Sequence, residues 1–126
     1  KPKFENNVMP GTVKALYLNN EAIRNPEAYI AVADSCGINA FVVDVMDGGA
    51  IGYASPVMQQ YSPSAYADAY NTLEDYQAAV RKLKDAGYYV IGRITAFNDP
   101  NLATDHPECV VADLDGNPLK IGGMAV

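Results

Sequence analysis

Short apolar runs alternate along this chain with segments of helical period, and two of the runs end in charged groups. VKALYLN (residues 13–19) predicts a first strand, apolar and short as buried parallel strands are, with Asn19 and Asn20 ending it. Pro26 at a first-turn position opens a helix that runs to Ser35 or Cys36, and Gly37 supplies the left-handed stop. Tyr29, Ile30, Val32 and Ala33 form its apolar face. Residues 39–46 predict a second strand, closing on the carboxylates of FVVDVMD. A connection over residues 47–71 follows, far longer than the roughly two to six residues usual between strand and helix.

The clearest helix comes next. Thr72 caps it with Asp75 three residues on, Glu74 and Asp75 suit its first turn, and Arg81, Lys82 and Lys84 suit its last. Leu73, Tyr76, Val80 and Leu83 keep helical spacing, with Gly87 as the terminating glycine. Residues 88–96 predict a third strand, and residues 98–107 hold at least one helical turn. Residues 109–121 read as a hairpin around Asp115-Gly116, and residues 1–12 as a polar N-terminal arm in loop conformation. Strands two and three, with a helix between them, are neighbouring parallel strands joined by a right-handed crossover. Their polar residues gather at the carboxyl ends, where α/β sheets build sites.

Alternation separates the faces of each strand. Ala40, Val42, Asp44 and Met46 share one face of the second strand, and Phe41, Val43, Val45 and Asp47 the other. In the third strand, Tyr89, Ile91, Arg93 and Thr95 oppose Val90, Gly92, Ile94 and Ala96. The Gly92 face is expected to meet helices, leaving Arg93 and Thr95 to point into a barrel interior or crevice. Asp44 and Arg93 then meet across adjacent strands, either as the floor of a substrate site or as a structural ion pair. Asp47 sits at the loop entrance, where it reads as an acid, a sugar ligand or an ordinary loop residue. Asn98 and Asp99 read as ligand contacts or as a turn and helix cap.

Tyr17 on the first strand and Tyr53, Tyr61, Tyr66 and Tyr70 in the long connection offer rings for the apolar faces of sugars. The competing reading is that the loop tyrosines pack the connection onto the sheet. His106, between Asp105 and Pro107, reads as a surface loop histidine. The run from Asp113 to Asn117 is a hairpin turn rather than a calcium loop, since it lacks the carboxylates that should follow. Gly48-Gly49-x-x-Gly52 has the wrong spacing for a phosphate loop.

Composition narrows the classes. A net charge of −6 without a basic cluster argues against nucleic acid and anionic membrane surfaces. The longest apolar runs are strand-length, against the roughly 20 residues of a membrane span, so no membrane insertion is expected. One histidine and no Cys-x-x-Cys pair leave no metal-ligand spacing, and no cofactor is expected. Cys36 is expected to be a small buried thiol at a helix end and Cys109 to open the hairpin; a disulfide between them stays open. The start at Lys1 reads as a processed or trimmed end.

VKALYLN, NAFVVDVMDGG, the block from LEDYQAAV through GYYVIGRITAFNDP, and VADLDGNP together resemble the N-terminal part of the glycosyl hydrolase domain of bacterial envelope proteins. That family has a (β/α)₈ barrel related to the α-amylase-like hydrolases. The most specific pieces are V-V-D-V-x-D (residues 42–47) and Y-V-I-G-R-I-x-x-F-x-D-P (residues 89–100), which place Asp44, Asp47, Arg93 and Asp99 at pattern positions. The resemblance implies an α/β fold in which residues 13–126 form the N-terminal half of a TIM-type barrel. It also implies a carbohydrate substrate and an extracellular or cell-envelope location.

A full barrel takes about 250 residues, so a larger parent is expected, with no turnover from this part alone. Self-association through exposed barrel edges is a further expectation. On this reading Asp44 and Asp47 are the catalytic candidates. Arg93, Thr95, Asn98, Asp99, Tyr17, Tyr53 and Tyr61 are the candidate substrate contacts. The alternative is a non-catalytic carbohydrate-binding or scaffolding module of the same fold. A doubly wound domain for phosphorylated ligands ranks last, because no glycine-rich turn follows the first strand.

Overall fold

The computed structural model of the chain describes residues 5–125. In chain order the elements are β1 (Ala15–Leu18), α1 (Pro26–Cys36), β2 (Ala40–Asp47), β3 (Ala50–Ile51), α2 (Pro56–Tyr61) and α3 (Pro63–Ala67). There follow α4 (Leu73–Asp85), β4 (Tyr89–Ile94), α5 (Pro100–Asp105), β5 (Lys120–Ile121) and β6 (Met124–Ala125). The fold is mixed α/β. Central β2 pairs in parallel with β1 on one side and β4 on the other. Short β3 runs antiparallel to the end of β2, opposite Met46 and Asp47.

Local chemistry explains the helices. Pro26 stands at the start of α1, and Gly37 closes it at φ 66° with its N–H on the Ala33 carbonyl. In α4 the Thr72 hydroxyl accepts from the Asp75 N–H at 3.1 Å and donates to the Asp75 carboxylate at 2.7 Å. Both helices cover one face of the sheet. Leu18, Phe41 and Val43 meet Ala33, Tyr76, Ala79 and Leu83 there, with the Tyr88 ring edge-on to Phe41 at 4.9 Å. Burying a side chain such as Leu83 or Phe41 stabilises the fold by about 1.5–3 kcal/mol. Val32, expected on the buried face of α1, is half exposed, because the sheet contacts a narrower stripe through Ala33.

Four sequence expectations change. Strict alternation placed Asp47 opposite Asp44, but the pairing steps from Asp44↔Arg93 to Met46↔Ile94, leaving Val45 as a bulge. One extra residue reverses the parity beyond it, so Asp47 returns to the face of Asp44, Arg93 and Thr95. The Gly92 face does meet the helices, with Val90 packed on the core, but Gly92 itself makes room for the bulge: a Cβ there would stand 3.1 Å from the Val45 side chain. A Cβ on Gly52 would lie 2.6 Å from the Asp44 carbonyl oxygen, so only glycine lets β3 close against the bulged strand.

The long connection, second, is structured by β3, α2 and α3. Third, Cys109 lies in a 3₁₀ turn (Pro107–Cys109), and the Asp115-Gly116 hairpin is narrower, with Ala112 bridging Pro118. A second hairpin, β5–β6, turns at Gly122 and Gly123. Fourth, Cys36 is exposed rather than buried, and both cysteines are free thiols. At the outer edge of β4, the Asn7 side chain pairs with the backbone of Val90 at 2.9 and 3.0 Å, as a neighbouring strand would.

Candidate functional site

The sheet face away from α1 and α4 carries the charged groups. Asp44 is 3% exposed and fully engaged. Its Oδ1 accepts from Arg93 Nη1 at 2.7 Å, and its Oδ2 accepts from the Tyr17 hydroxyl. The Tyr76 hydroxyl, reaching through from α4, donates to the Asp44 carbonyl at 2.8 Å. Arg93 extends its second arm to Asp47 Oδ1 at 2.9 Å, and the Thr95 hydroxyl donates to the same oxygen at 3.0 Å. The guanidinium carbon lies 5.7 Å from the centre of the Tyr17 ring, a cation–π contact.

Electrostatics follow from these contacts. The Arg93 hydrogen bond, with that of Thr95 second, holds the Asp47 carboxyl below the usual carboxylate range. Asp47 and then Asp44 push the Arg93 guanidinium up, so it stays charged. Its hydrogen bond to Asp44 raises the Tyr17 phenol, which therefore stays protonated and donating. Asp47 is thus a permanent anion at neutral pH. Its side chain is 45% exposed, and its Oδ2 has no partner among the described residues. That oxygen can accept a hydrogen bond or a proton; an acid catalyst would instead need a raised carboxyl pKa.

An open pocket of about 380 Å³ lies beside these groups, walled by Tyr17, Asp44, Asp47, Asn19, Asn20, Glu21, Ala50 and Tyr70. Sequence reading took Asn19 and Asn20 only as the strand's end and missed Glu21. The available signal was their place at the carboxyl end of β1, level with the polar ends of β2 and β4. Asn19 Oδ1 accepts from the N–H groups of Glu21 and Ala22 at 3.1 and 2.8 Å, which turns the chain along the pocket. Asn20 is 5% exposed, and its buried Oδ1 has no hydrogen-bond partner among the described residues.

Of the nine expected site residues, the structure brings together Tyr17, Asp44, Asp47, Arg93 and Thr95. Asn98 lies next to them, its amide against Gly48 in the turn after Asp47. Asp99 is turned to α5, where it accepts from the Leu102 N–H at 2.9 Å as a helix cap. Tyr53 packs on Tyr76 at 4.8 Å, against the core on the helix side of the sheet. Tyr61 ends α2, where its carbonyl meets His106 Nε2 at 2.7 Å, outside the pocket wall. Among the described residues no cluster of three or more His, Cys, Asp or Glu is placed to hold a metal ion, and no helix is long and apolar enough to cross a membrane.

Comparison with known proteins agrees with this architecture. The family described as "Putative glycosyl hydrolase domain" matches residues 15–124. The crystal structure of a hypothetical protein from Ruminiclostridium thermocellum ATCC 27405 is similar, at 26% sequence identity and a TM-score of 0.69. The match covers 87% of this chain and 58% of that one, so the chain spans little more than half of that protein's length. No curated protein matches.

Proposed function

From the premise that the chain belongs to the "Putative glycosyl hydrolase domain" family, we propose that it is the N-terminal part of a (β/α)₈ glycoside hydrolase and supplies one wall of its glycan cleft. Tyr17, Asp44 and Arg93 form the floor. Asp47 and Thr95 meet sugar hydroxyls, with Asn98 beside them. In the barrel, the next strand adds to the outer edge of β4, beyond the point where Asn7 covers Val90. Kinship further suggests action in the bacterial cell envelope or outside the cell.

The observation behind this reading is the pair of carboxylates bridged by one arginine at the carboxyl ends of adjacent parallel strands, open to a pocket. Within the pair the roles divide. Asp44, with both oxygens occupied, orients Arg93 and Tyr17; Asp47 keeps a free oxygen for substrate. Glycoside hydrolysis needs a proton donor flanking the bond as well as a carboxylate. The lowered pKa of Asp47 suits it to accept rather than donate, which leaves the acid to another part of the parent protein.

The same lowered pKa favours a second reading, a carbohydrate-binding module without turnover. Asp47→Asn in the full-length protein separates the two. Reducing-sugar release should fall by about 10²-fold or more, with sugar affinity weakened far less, if Asp47 takes part in the chemistry. Binding without hydrolysis by the unsubstituted protein selects the module.

A further inference from the structure

Of three open pockets that Tyr70 helps to wall, two also share Ala50. One is the pocket of Asp44 and Asp47; the other, of about 580 Å³, runs from Arg24 and Gly49 to Asp68 and Ala69. Ala50 and Tyr70 wall both. The backbone at this ridge is tied from three directions. The Tyr70 N–H donates to the Ile51 carbonyl at 2.9 Å, and the Tyr70 carbonyl accepts from Arg24 Nη2. Next to it, Asn71 Nδ2 donates to the Asn20 and Gly52 carbonyls at 3.1 and 2.9 Å, while its Oδ1 accepts from Arg24 Nε at 2.8 Å. On this fixed backbone Tyr70 is 43% exposed, and its hydroxyl has no partner among the described residues.

An exposed tyrosine on a fixed backbone, walling two polar pockets, matches the two surfaces of a sugar, whose ring presents apolar C–H faces and whose rim carries hydroxyls. Each pocket falls within the roughly 300–1,000 Å³ range of small-ligand sites. In the second pocket Arg24 and Asp68 are opposite in sign, which suits an uncharged sugar unit. We propose that Tyr70 is the platform between two sugar positions, so that the ligand is an uncharged oligosaccharide spanning both pockets rather than a single sugar. This proposal rests on the carbohydrate reading of the Asp44–Asp47 site.

The test uses the full-length protein on an array of α- and β-linked hexose and N-acetylhexosamine ladders, followed by titration of each ladder that binds. Affinity should rise from one sugar unit to two or three. Tyr70→Ala should remove about fivefold to tenfold of that gain, and Tyr70→Phe, which keeps the ring, should preserve it. Thermal melts of both variants check folding. If affinity is flat along the ladder, or the gain survives Tyr70→Ala in a folded protein, the platform is wrong while the carbohydrate site stands. If the unsubstituted protein binds no ladder, the carbohydrate reading falls and takes this proposal with it.

Discussion

Two carboxylates in this molecule share a depressed pKa yet sit in opposite situations. Asp105, at the end of α5, accepts from the Ser62 hydroxyl at 2.8 Å, the Ser64 N–H at 3.0 Å and the Ser64 hydroxyl at 2.6 Å. Those bonds, the Ser64 hydroxyl first, lower its pKa, and they consume both oxygens in fastening α3 to α5. Asp47 is lowered chiefly by Arg93, through one oxygen, and leaves the other facing a pocket. A perturbed carboxyl is therefore no sign of function by itself. The free acceptor is what sets Asp47 apart, and the neighbouring guanidinium keeps it ionised.

Removing the cation that defines the Asp47 side of this contrast should have the largest effect. Arg93→Met leaves Asp44 buried with Tyr17 as its carboxylate's one remaining partner among the described residues. Denaturant melts should show a loss of about 3 kcal/mol, the low end for a broken buried pair because Arg93 is itself 42% exposed. A loss below about 1 kcal/mol would mean that solvent reaches Asp44 freely, and that Arg93 serves the site more than the fold.

Asp105→Ala sharpens the other side. It should lower the melting temperature, and amide exchange should quicken in α2 and α3 as the links to Ser62 and Ser64 are lost. Asp47→Asn should leave that exchange unchanged. Equal effects of the two substitutions on α3 would erase the distinction between the fastening and the pocket-facing carboxylate.

The smallest effects are in pH. Folded Asp47 and Asp105 titrate below their unfolded value of about 4. Their contribution is present above that value and is lost as pH falls through the folded values. His106 runs the other way: its contacts with Glu108 and the Tyr61 carbonyl raise it, so its contribution is complete below about 6.5 and is lost as pH rises through the folded value. NMR titration should find His106 above its ordinary value. Glu108→Gln should bring it down, and an unshifted histidine would show that the Glu108 contact does not form in solution.

Much of the architecture was legible from local chemistry. Thr72, Gly37 and Pro26 mark helix ends through backbone hydrogen bonding and φ restrictions that act within a few residues. Alternation likewise placed Asp44 opposite Arg93. The site was legible only where that alternation held. Asp47 was assigned to the wrong face because the bulge at Val45 has no local signature; it depends on Gly52, just after β3, and Gly92 of β4 coming against it. The loop tyrosines were indistinguishable in sequence, yet Tyr53 went to the core side and Tyr70 to the pocket wall.

The sequence by itself thus determined the order of the three parallel strands and of the two helices that cover them, the caps of those helices, and the face shared by Asp44 and Arg93. Each of these depends on steric and hydrogen-bonding rules of short range. Tertiary structure alone decided that Asp47 joins Arg93, that Asn20 and Tyr70 wall the same pocket, and that Asp105 is spent on two serines. Those outcomes depend on which distant backbone groups come within hydrogen-bonding reach once the sheet is packed, and no periodicity along the chain encodes that.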